Sequence, residues 1–253
     1  MSTVAIPQPV TAGKSSSRSP SGFKLAMNWV IYRLRIFTPL IRYSLHQLQF
    51  VLMSWYCSPA DMKLMRTIYR ERRPLLQPLE SFNILALARA QSQLDGDMAE
   101  VGVYQGSSAR MICTEKGTHH FWGFDTFSGL ADVGQQDTHN GVKFFRPGHF
   151  AADYETTAAY LKEFDNVQLV KGFFPESAGC VAERKFSFVH LDVDTYGSTL
   201  ASMRFFWPRL VDRGIIMTHD AHSDGVARAI AEFTAETGAR AISSACSQVI
   251  LTR

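Results

Sequence analysis

From about residue 97 onward, short apolar runs alternate with stretches of helical periodicity, and this alternation constrains the fold more than any other feature of the chain. The apolar runs are MAEVGV, HHFWGF, VQLVKG, FSFVHLD and GIIMTHD, and each is followed by a loop or a helix pattern. Parallel strands need long crossover connections, which are usually helices, so this order predicts a βαβ sheet. After a helix predicted near residues 224–237, the segments RAISSA and SQVILTR predict two closing strands.

The residues before this sheet differ in composition and predict separate regions. Residues 1–22 are rich in Ser, Pro and Gly and are interpreted as a disordered tail without a secretory signal. Residues 23–95 predict a helical cap, and residues 96–253 the α/β domain. The apolar segment 23–57 is interrupted by arginines and Pro39, which argues against a membrane-spanning helix. Two interpretations of it remain open: a cap that packs on the domain, or a basic amphipathic segment in peripheral contact with a membrane.

Charge and cysteine usage limit the classes of partner. Six of the 26 Lys and Arg residues lie in the first 60 positions, which contain no Asp or Glu, so the remainder holds 20 basic and 23 acidic residues. A slightly acidic catalytic part predicts no nucleic-acid partner. The four cysteines are Cys57, Cys113, Cys180 and Cys246, and they lie far apart without the spacing of a metal site or a disulfide framework. They indicate a reducing, cytoplasmic setting. Association of the basic N-terminal segment with a membrane stays open.

A glycine-containing turn ends the first predicted strand and opens a predicted helix. It reads Glu100-Val-Gly102-Val-Tyr-Gln-Gly106-Ser107-Ser108. The two glycines permit a tight turn that brings backbone N–H groups close to a ligand, and the helix N-terminus favours a negative group such as the carboxylate of a bound methionyl moiety. Two glycines four residues apart are also common in purely structural turns, and that alternative stays open.

Asp125 ends the second predicted strand, in the sequence Gly123-Phe124-Asp125. It follows the glycines by about 20 residues, where nucleotide-binding Rossmann domains place an acid on the ribose hydroxyls. The alternative is that Asp125 caps the turn TFSG that follows it.

Carboxylates follow two further strands. Asp192 and Asp194 come after the run FSFVHL, and Asp220 ends the next strand, 28 residues after Asp192. Acids at the carboxyl ends of neighbouring parallel strands converge on one crevice. Oxygen ligands suit a hard divalent cation, which would lower the pKa of a substrate hydroxyl and orient it for attack on a methyl sulfonium. A salt bridge or a helix cap is the structural alternative for these acids.

Taken together, these motifs resemble the TylF/MycF family of macrocin-type O-methyltransferases, relatives of the catechol and caffeoyl-CoA O-methyltransferases. The resemblance runs from about Gly96 to the C-terminus and rests on GDMAEVGVYQGSS, FWGFDTFSGL, VKGFFPES, HLDVDTYGST and His219-Asp220. It implies a Rossmann-like class I methyltransferase fold, with a seven-stranded, mostly parallel sheet whose last strand is antiparallel. It also implies S-adenosylmethionine as donor and a Mg²⁺-dependent transfer to a hydroxyl of a small molecule, often a sugar of a natural product or a glycolipid.

The same resemblance implies roles for individual residues. Glu100, Gly102, Gly106 and Ser107 would line the methionine end of the donor, Asp125 its ribose, and Gly172 with Phe173 its adenine. Asp192, His219 and Asp220 match the three metal-ligand positions.

The chain departs from the family at His219, where the family usually has Asp. Imidazole suits Mn²⁺, Zn²⁺ or Fe²⁺ better than Mg²⁺, so the identity of the metal stays open. His219 could instead act as the general base together with Asp192, or only support the site by a hydrogen bond.

Three further features concern the acceptor, the loop that could cover it and the packing of the chain. Tyr196 and His222 are secondary candidates for contact with the acceptor. The long segment Phe127–Phe150 is typical of a lid, with a disordered insertion as its alternative, and it contains Asp137, His139, Lys143, Arg146 and His149. The aromatic run Phe205-Phe206-Trp207 indicates core packing or a contact within a homo-oligomer.

Two other functions remain open at this point. One is a metal-independent methyltransferase or an N-methyltransferase on the same scaffold. The other is a membrane-associated, non-catalytic protein that retains a degenerate cofactor fold.

Overall fold

The computed structural model describes residues 38–131, 133–143, 145–244 and 246–253. The chain divides into two units between Gln47 and Leu48. The sheet, its helices and the candidate site all lie within the second unit, Leu48–Arg253. The predicted tail of residues 1–22 lies outside the described residues, as does the part of segment 23–57 before Thr38.

A seven-stranded sheet forms the centre of the second unit. Its strand order is β5-β2-β1-β6-β7-β9-β8. Strands β5, β2, β1, β6 and β7 pair in parallel, whereas β9 pairs antiparallel with β7 on one side and β8 on the other. The strands are β1 (Asp97–Val101), β2 (Phe121–Asp125), β5 (Val167–Lys171), β6 (Phe186–Leu191), β7 (Leu210–Thr218), β8 (Arg240–Ser243) and β9 (Val249–Thr252). The fold predicted from the sequence is confirmed, including the antiparallel last strand.

Seven α-helices surround or precede this sheet in the described part of the chain. They are α1 (Thr38–Met53), α2 (Pro59–Arg72), α3 (Pro78–Gln91), α4 (Ser107–Glu115), α5 (Tyr154–Leu161), α6 (Tyr196–Phe206) and α7 (Asp224–Thr237). Local signals set several of their ends. The Ser58 side chain accepts a hydrogen bond from the Asp61 N–H at the start of α2, and Gly238 ends α7 in the left-handed conformation with φ of 70°.

The helices cover both faces of the sheet, each with its own buried core. On one face, Met203 of α6 and Phe233 of α7 pack against strand residues such as Val189 and Ile216. On the other, Ile84 of α3 and Ile112 of α4 pack against the opposite side of the same strands. Helices predicted as an N-terminal cap therefore form one of the three layers of the domain.

The packing shows what the aromatic run Phe205-Phe206-Trp207 does. Phe206 is fully buried in the core beside α7, and Phe205 and Trp207 are partly buried against the same cluster, so the aromatic run is core. Among the described residues, no helix is long and apolar enough to cross a membrane.

The long connection after β2 contains regular structure. It forms a two-stranded antiparallel hairpin of β3 (Thr138–His139) and β4 (Val142–Lys143) before α5 begins.

Candidate active site

A cavity of about 540 Å³ lies at the carboxyl ends of the central parallel strands. This is the edge of a parallel α/β sheet at which ligands bind, because helix N-termini and flexible loops meet there. The wall contains residues that follow β1, β2, β5, β6 and β7, among them Gly102, Ser107, Asp125, Gly172, Phe173, Asp192, His219 and Asp220. Eight of the ten residues predicted for the site thus share one cavity.

The turn after β1 passes very close to the strand beside it. Gly102 has φ of 92°, and a Cβ atom added there would lie 1.9 Å from the carbonyl oxygen of Asp192. Only glycine permits this approach, which brings the turn after β1 close to Asp192, the residue that follows β6. Gly106, with φ of 81°, begins helix α4 but is not part of the cavity wall, whereas Ser107 is.

Glu100 lies behind the cavity wall rather than on it. It is fully buried opposite His190 of the neighbouring strand, and its Oε1 atom is 2.7 Å from His190 Nδ1. Burial raises the pKa of Glu100, although the hydrogen bond from His190 opposes that shift. Glu100 joins strands β1 and β6 beneath the turn that follows β1, and it is not part of the cavity wall.

Asp125 lines the cavity and also organises two loops. One carboxylate oxygen accepts from the Tyr104 N–H at 2.7 Å, and the other accepts from the Phe127 N–H at 2.7 Å. Burial raises its pKa despite these hydrogen bonds. The turn-capping alternative for Asp125 is therefore realised in the structure. A carboxylate has four lone-pair positions, so the cap leaves it able to accept hydrogen bonds from a ligand.

Asp192, His219 and Asp220 converge in the way the sequence predicted. Each offers a ligating atom, and the three atoms lie within 4.8 Å of one another. His219 Nδ1 is 3.3 Å from Asp192 Oδ1 and 3.0 Å from Asp220 Oδ2, yet it makes no hydrogen bond of acceptable geometry. The close His219 lowers the pKa of Asp220 to about 2, although burial alone would raise it.

The other nitrogen of His219 faces a residue that the sequence did not indicate. Its Nε2 atom lies 3.2 Å from Glu80 Oε2 and 3.2 Å from Ser247 Oγ. Burial opposes the charged form of His219, but the carboxylates of Asp192, Asp220 and Glu80 raise its pKa well above the ordinary value. Glu80 belongs to α3, in the segment interpreted as a cap, and its position at the start of a helix is typical of a purely structural acid. No sequence signal marked it as part of the site.

Asp194 is a second site residue beyond the predicted set. It lines the cavity with a left-handed backbone, φ 60°. Burial and the adjacent carboxylates of Asp220 and Asp192 raise its pKa well above the ordinary value. The motif HLDVD contained the signal, because a structural strand end rarely needs two acids.

The segment Phe127–Phe150 forms part of the cavity wall and is fixed to two helix N-termini. The Asp137 carboxylate accepts from the Tyr196 N–H at 2.7 Å, where α6 begins. The Asp224 carboxylate, where α7 begins, accepts from Thr138 Oγ1 at 2.6 Å and from the Gly141 N–H at 2.8 Å. The wall residues from this segment are mostly apolar, namely Gly129, Leu130, Ala131, His139, Phe145 and Phe150.

The secondary candidates differ in where they point. His222 lines the cavity, and its ring lies 5.0 Å from that of His139 in an edge-to-face arrangement. Tyr196 is not part of the wall, since its hydroxyl donates to Glu232 of α7 at 2.5 Å. The charged residues Lys143, Arg146 and His149 also lie outside the wall.

Comparison with known proteins gives matches in sequence and in structure. The family described as Macrocin-O-methyltransferase (TylF) matches residues 75–247. A relative from Streptomyces olivaceus, 8-demethyl-8-(2,3-dimethoxy-alpha-L-rhamnosyl)-tetracenomycin-C 4'-O-methyltransferase, is 26% identical over 156 residues. That match covers 56% of this chain and 59% of the relative, so the chain spans less than two thirds of the relative's length.

Two solved structures share the fold. The calicheamicin methyltransferase CalS11 is 19% identical, with a TM-score of 0.60 over 78% of this chain and 93% of that one. An O-methyltransferase from Bacillus cereus, in complex with SAH, is 11% identical, with a TM-score of 0.54 over 81% and 96% of the two chains.

Proposed function

This chain belongs to the macrocin-O-methyltransferase (TylF) family, and on that premise we propose that it transfers a methyl group from S-adenosylmethionine to a hydroxyl of a small molecule, with help from a divalent metal. One observation carries the proposal. A single cavity joins the glycine turn after β1 to the cluster of Asp192, His219 and Asp220. A donor bound at the turn would present its methyl group toward that cluster.

The donor would contact backbone and side chains on the β1–β2 half of the cavity. Gly102 and Ser107 would contact the methionine end, and Asp125 would accept hydrogen bonds from the ribose hydroxyls. Gly172 and Phe173, which follow β5, would lie against the adenine. Glu100 and Gly106 would support this half from behind, through the pair with His190 and through the start of α4.

The residues at the acidic cluster fit a divalent cation. Three ligating atoms converge, and His219 Nδ1 is a buried nitrogen without a well-directed hydrogen bond. Asp192, His219 and Asp220 would hold the ion, and two oxygens with one imidazole favour Mn²⁺ or another transition metal alongside Mg²⁺. When bound, such an ion lowers the pKa of a coordinated hydroxyl and orients it.

The proton of the acceptor hydroxyl needs a base that faces the cavity. Both nitrogens of His219 point to carboxylates or to Ser247, which leaves neither directed toward an acceptor. Asp194 lines the cavity, and burial together with the carboxylates of Asp220 and Asp192 raises its pKa, which makes it a stronger base than an ordinary carboxylate. We therefore assign His219 to metal binding and proton acceptance to Asp194.

A sugar hydroxyl is the acceptor that the observations favour. The Streptomyces olivaceus relative is named for methylation of a rhamnosyl group. The cavity wall formed by segment Phe127–Phe150 is mostly apolar, and His139 and His222 add polar groups to the cavity. This arrangement suits one face of a deoxysugar on a natural product or glycolipid.

Donor binding and metal dependence are tested together. Calorimetric titration with S-adenosylmethionine should show saturable binding. Absence of binding would contradict the proposal. Turnover of a hydroxylated acceptor should stop with EDTA and return with Mn²⁺ or Mg²⁺; turnover that is indifferent to EDTA would leave the metal-independent alternative.

Asp220→Ala separates the proposed metal-dependent O-methyl transfer from an N-methyltransferase or metal-independent methyltransferase in which this acid only orients the acceptor. We expect metal occupancy and activity to disappear together. Asp212→Ala is the matched control, because Asp212 lies in the preceding strand and its side chain is 97% exposed. A variant at Asp220 that loses activity but keeps its metal would contradict the assigned ligand set.

The chain also has a surface suited to peripheral membrane contact, and we propose that the segment 23–57 supplies it. Leu48, Val51, Leu52 and Trp55 follow helical spacing and are each about half or more exposed, between 48% and 82%. Such a face, preceded in the sequence by basic residues and no acids, suits an anionic lipid surface.

A further inference from the structure

Glu80 reaches the acidic cluster from outside the strands that build it. It lies in the first turn of α3, where its Oε2 atom accepts from the Gln77 N–H at 2.8 Å. Its side chain is almost fully buried. The carboxylate therefore performs two tasks, one at its own helix start and one at His219.

The start of α3 is fixed firmly against the turn between β8 and β9. Glu80 Oε1 accepts from both the N–H and the hydroxyl of Ser247, at 3.2 and 2.6 Å. Gln248 donates its side-chain amide to the backbone oxygen of Glu80 at 3.1 Å, and Asn83 donates to Gln248 at 2.9 Å. This network holds the Glu80 carboxylate at a defined position beside the histidine ring.

The hydrogen-bond donors and acceptors around His219 Nε2 determine which ring nitrogen carries hydrogen. Glu80 Oε2 can only accept. Ser247 Oγ gives its one proton to Glu80 Oε1, so it too can only accept from the ring. Both neighbours of Nε2 thus require an N–H there. Nδ1 faces the carboxylates of Asp192 and Asp220, so a cation bound between them would replace a hydrogen on Nδ1, and the hydrogen that stays on the ring would be the one on Nε2.

We propose that Glu80 is a positioning residue of the metal site. Its Oε2 atom lies 3.2 Å from His219 Nε2, and its Oε1 atom takes the hydroxyl hydrogen of Ser247, which then accepts from Nε2. Glu80 thereby keeps a hydrogen on Nε2 and leaves the Nδ1 lone pair for the ion. The inference rests on the proposed metal role. A carboxylate behind a ligating histidine fixes the ring and increases its basicity. Glu80 also places a negative charge 3.2 Å from the ring, which a neutral imidazole ligand itself lacks.

Glu80→Gln tests this assignment, with Mn²⁺ alone titrated into the full-length protein by calorimetry. The amide can donate as well as accept and no longer enforces one tautomer, so we expect Mn²⁺ affinity to fall by about 10- to 100-fold. Affinity for S-adenosylhomocysteine should not change. Glu115→Gln is the matched control, because Glu115 forms a two-point ion pair with Arg89 and lies at the end of α4 away from the donor turn.

The His219→Asp background distinguishes positioning from general damage to the fold. If Glu80 acts through the imidazole, its replacement by Gln should not weaken Mn²⁺ binding once the ring is gone. An equal loss in both backgrounds would overturn the inference, and so would an unchanged affinity in Glu80→Gln itself. A wild-type chain that binds no Mn²⁺ would instead remove the metal role and, with it, this inference.

A second measurement needs no variant at position 80. In the Zn²⁺-loaded wild-type protein with ¹⁵N-labelled histidine, long-range ¹H–¹⁵N spectra should show His219 with hydrogen on Nε2 and metal on Nδ1. His219→Asp identifies the signal by its absence. Metal on Nε2 would overturn the inference even if Glu80→Gln failed to fold.

Discussion

At the scale of single residues, the site depends on one contact between two strands. Gly102 leaves β1 in a conformation with positive φ, and its α-carbon lies against the backbone of Asp192. The glycine turn after β1 and Asp192, the first acid of the proposed metal cluster, are thereby held at a fixed separation. In the sequence Gly102 looks like an ordinary turn residue, but in the structure it makes the close backbone contact that connects the two halves of the cavity.

Gly102→Ala should disrupt the contact between this turn and the backbone of Asp192. The added Cβ would overlap the Asp192 carbonyl, so we expect the free energy of unfolding to fall by about 2–4 kcal/mol and donor affinity to drop more than about tenfold. Gly117→Ala is the control, because Gly117 also has positive φ, at 60°, but open space around its α-carbon. Denaturant unfolding and calorimetry with S-adenosylhomocysteine measure both effects, and equal behaviour of the two variants would contradict the role of the contact.

On the proposed metal role, His219 is expected to determine which metal the cluster of Asp192, His219 and Asp220 prefers. Replacing the imidazole by a carboxylate in His219→Asp gives an all-oxygen ligand set, which suits Mg²⁺. We expect the ratio of Mn²⁺ to Mg²⁺ affinity to fall by about tenfold, because the softer nitrogen ligand is lost. His222→Asp is the control, since His222 lines the same cavity but is not one of the three convergent ligands. A ratio that does not respond to position 219 would place the metal elsewhere.

At the scale of secondary-structure elements, the N-termini of two helices hold the segment Phe127–Phe150, which the sequence predicts to be a lid. Asp137 and Asp224 connect the β3–β4 hairpin to the first turns of α6 and α7. A Cβ atom at Gly225 would lie 2.4 Å from Asp137 Oδ1, so the hairpin and α7 approach closely at this point. Polar contacts of these two carboxylates therefore hold the β3–β4 hairpin against the two helices.

Asp224→Ala should make the hairpin open more often. It removes the acceptor of two hydrogen bonds, so we expect trypsin cleavage after the exposed Lys143 to become about 5- to 10-fold faster. Ser58→Ala is the control, since it removes a comparable capping bond at α2, away from the lid. Cleavage that stays as slow as in the wild type would show that these two bonds do not limit opening.

The elements also show which parts of the site the sequence could predict. The strands, the turn at Gly102 and the convergence of Asp192 with Asp220 follow from local periodicity and from the rule that parallel strands end at one edge. Glu80 could not be predicted, because its capping position explains it locally and its partner Ser247 is 167 residues away. The inward placement of Glu100 depends on the register that sets it opposite His190, which no single segment encodes.

At the scale of the whole molecule, the exposed apolar face before α2 is the feature that the catalytic fold does not explain. Phe50 and Met53 on the opposite side of α1 are buried, so this end of the helix is packed on one face only. The outward face carries Leu52 and, just after the helix, Trp55, which is 82% exposed. A membrane-surface enzyme acting on a lipid-linked sugar would use such a face to stay near its substrate.

Vesicle flotation measures this directly. The full chain should float with phosphatidylserine-containing vesicles at low salt and much less at high salt, because each basic residue near an anionic surface contributes about 1 kcal/mol that salt screens. Replacing both Leu52 and Trp55 by Ser should lower the bound fraction without changing donor affinity. Ile242→Ser is the control, since Ile242 is 48% exposed on strand β8, in a different part of the sequence.

The outcomes of the flotation experiment distinguish a lipid surface from a second copy of the chain as the partner of the apolar face. Flotation that depends on the Leu52 and Trp55 side chains and on anionic lipid would support peripheral contact through segment 23–57. A wild-type chain that stays at the bottom of the gradient at low salt would rule this contact out. In that case the double variant should be compared with the wild type by sedimentation. An exposed apolar face that does not bind lipid is expected to bind protein. Loss of a dimer in the variant would identify a second copy of the chain as the partner of this face.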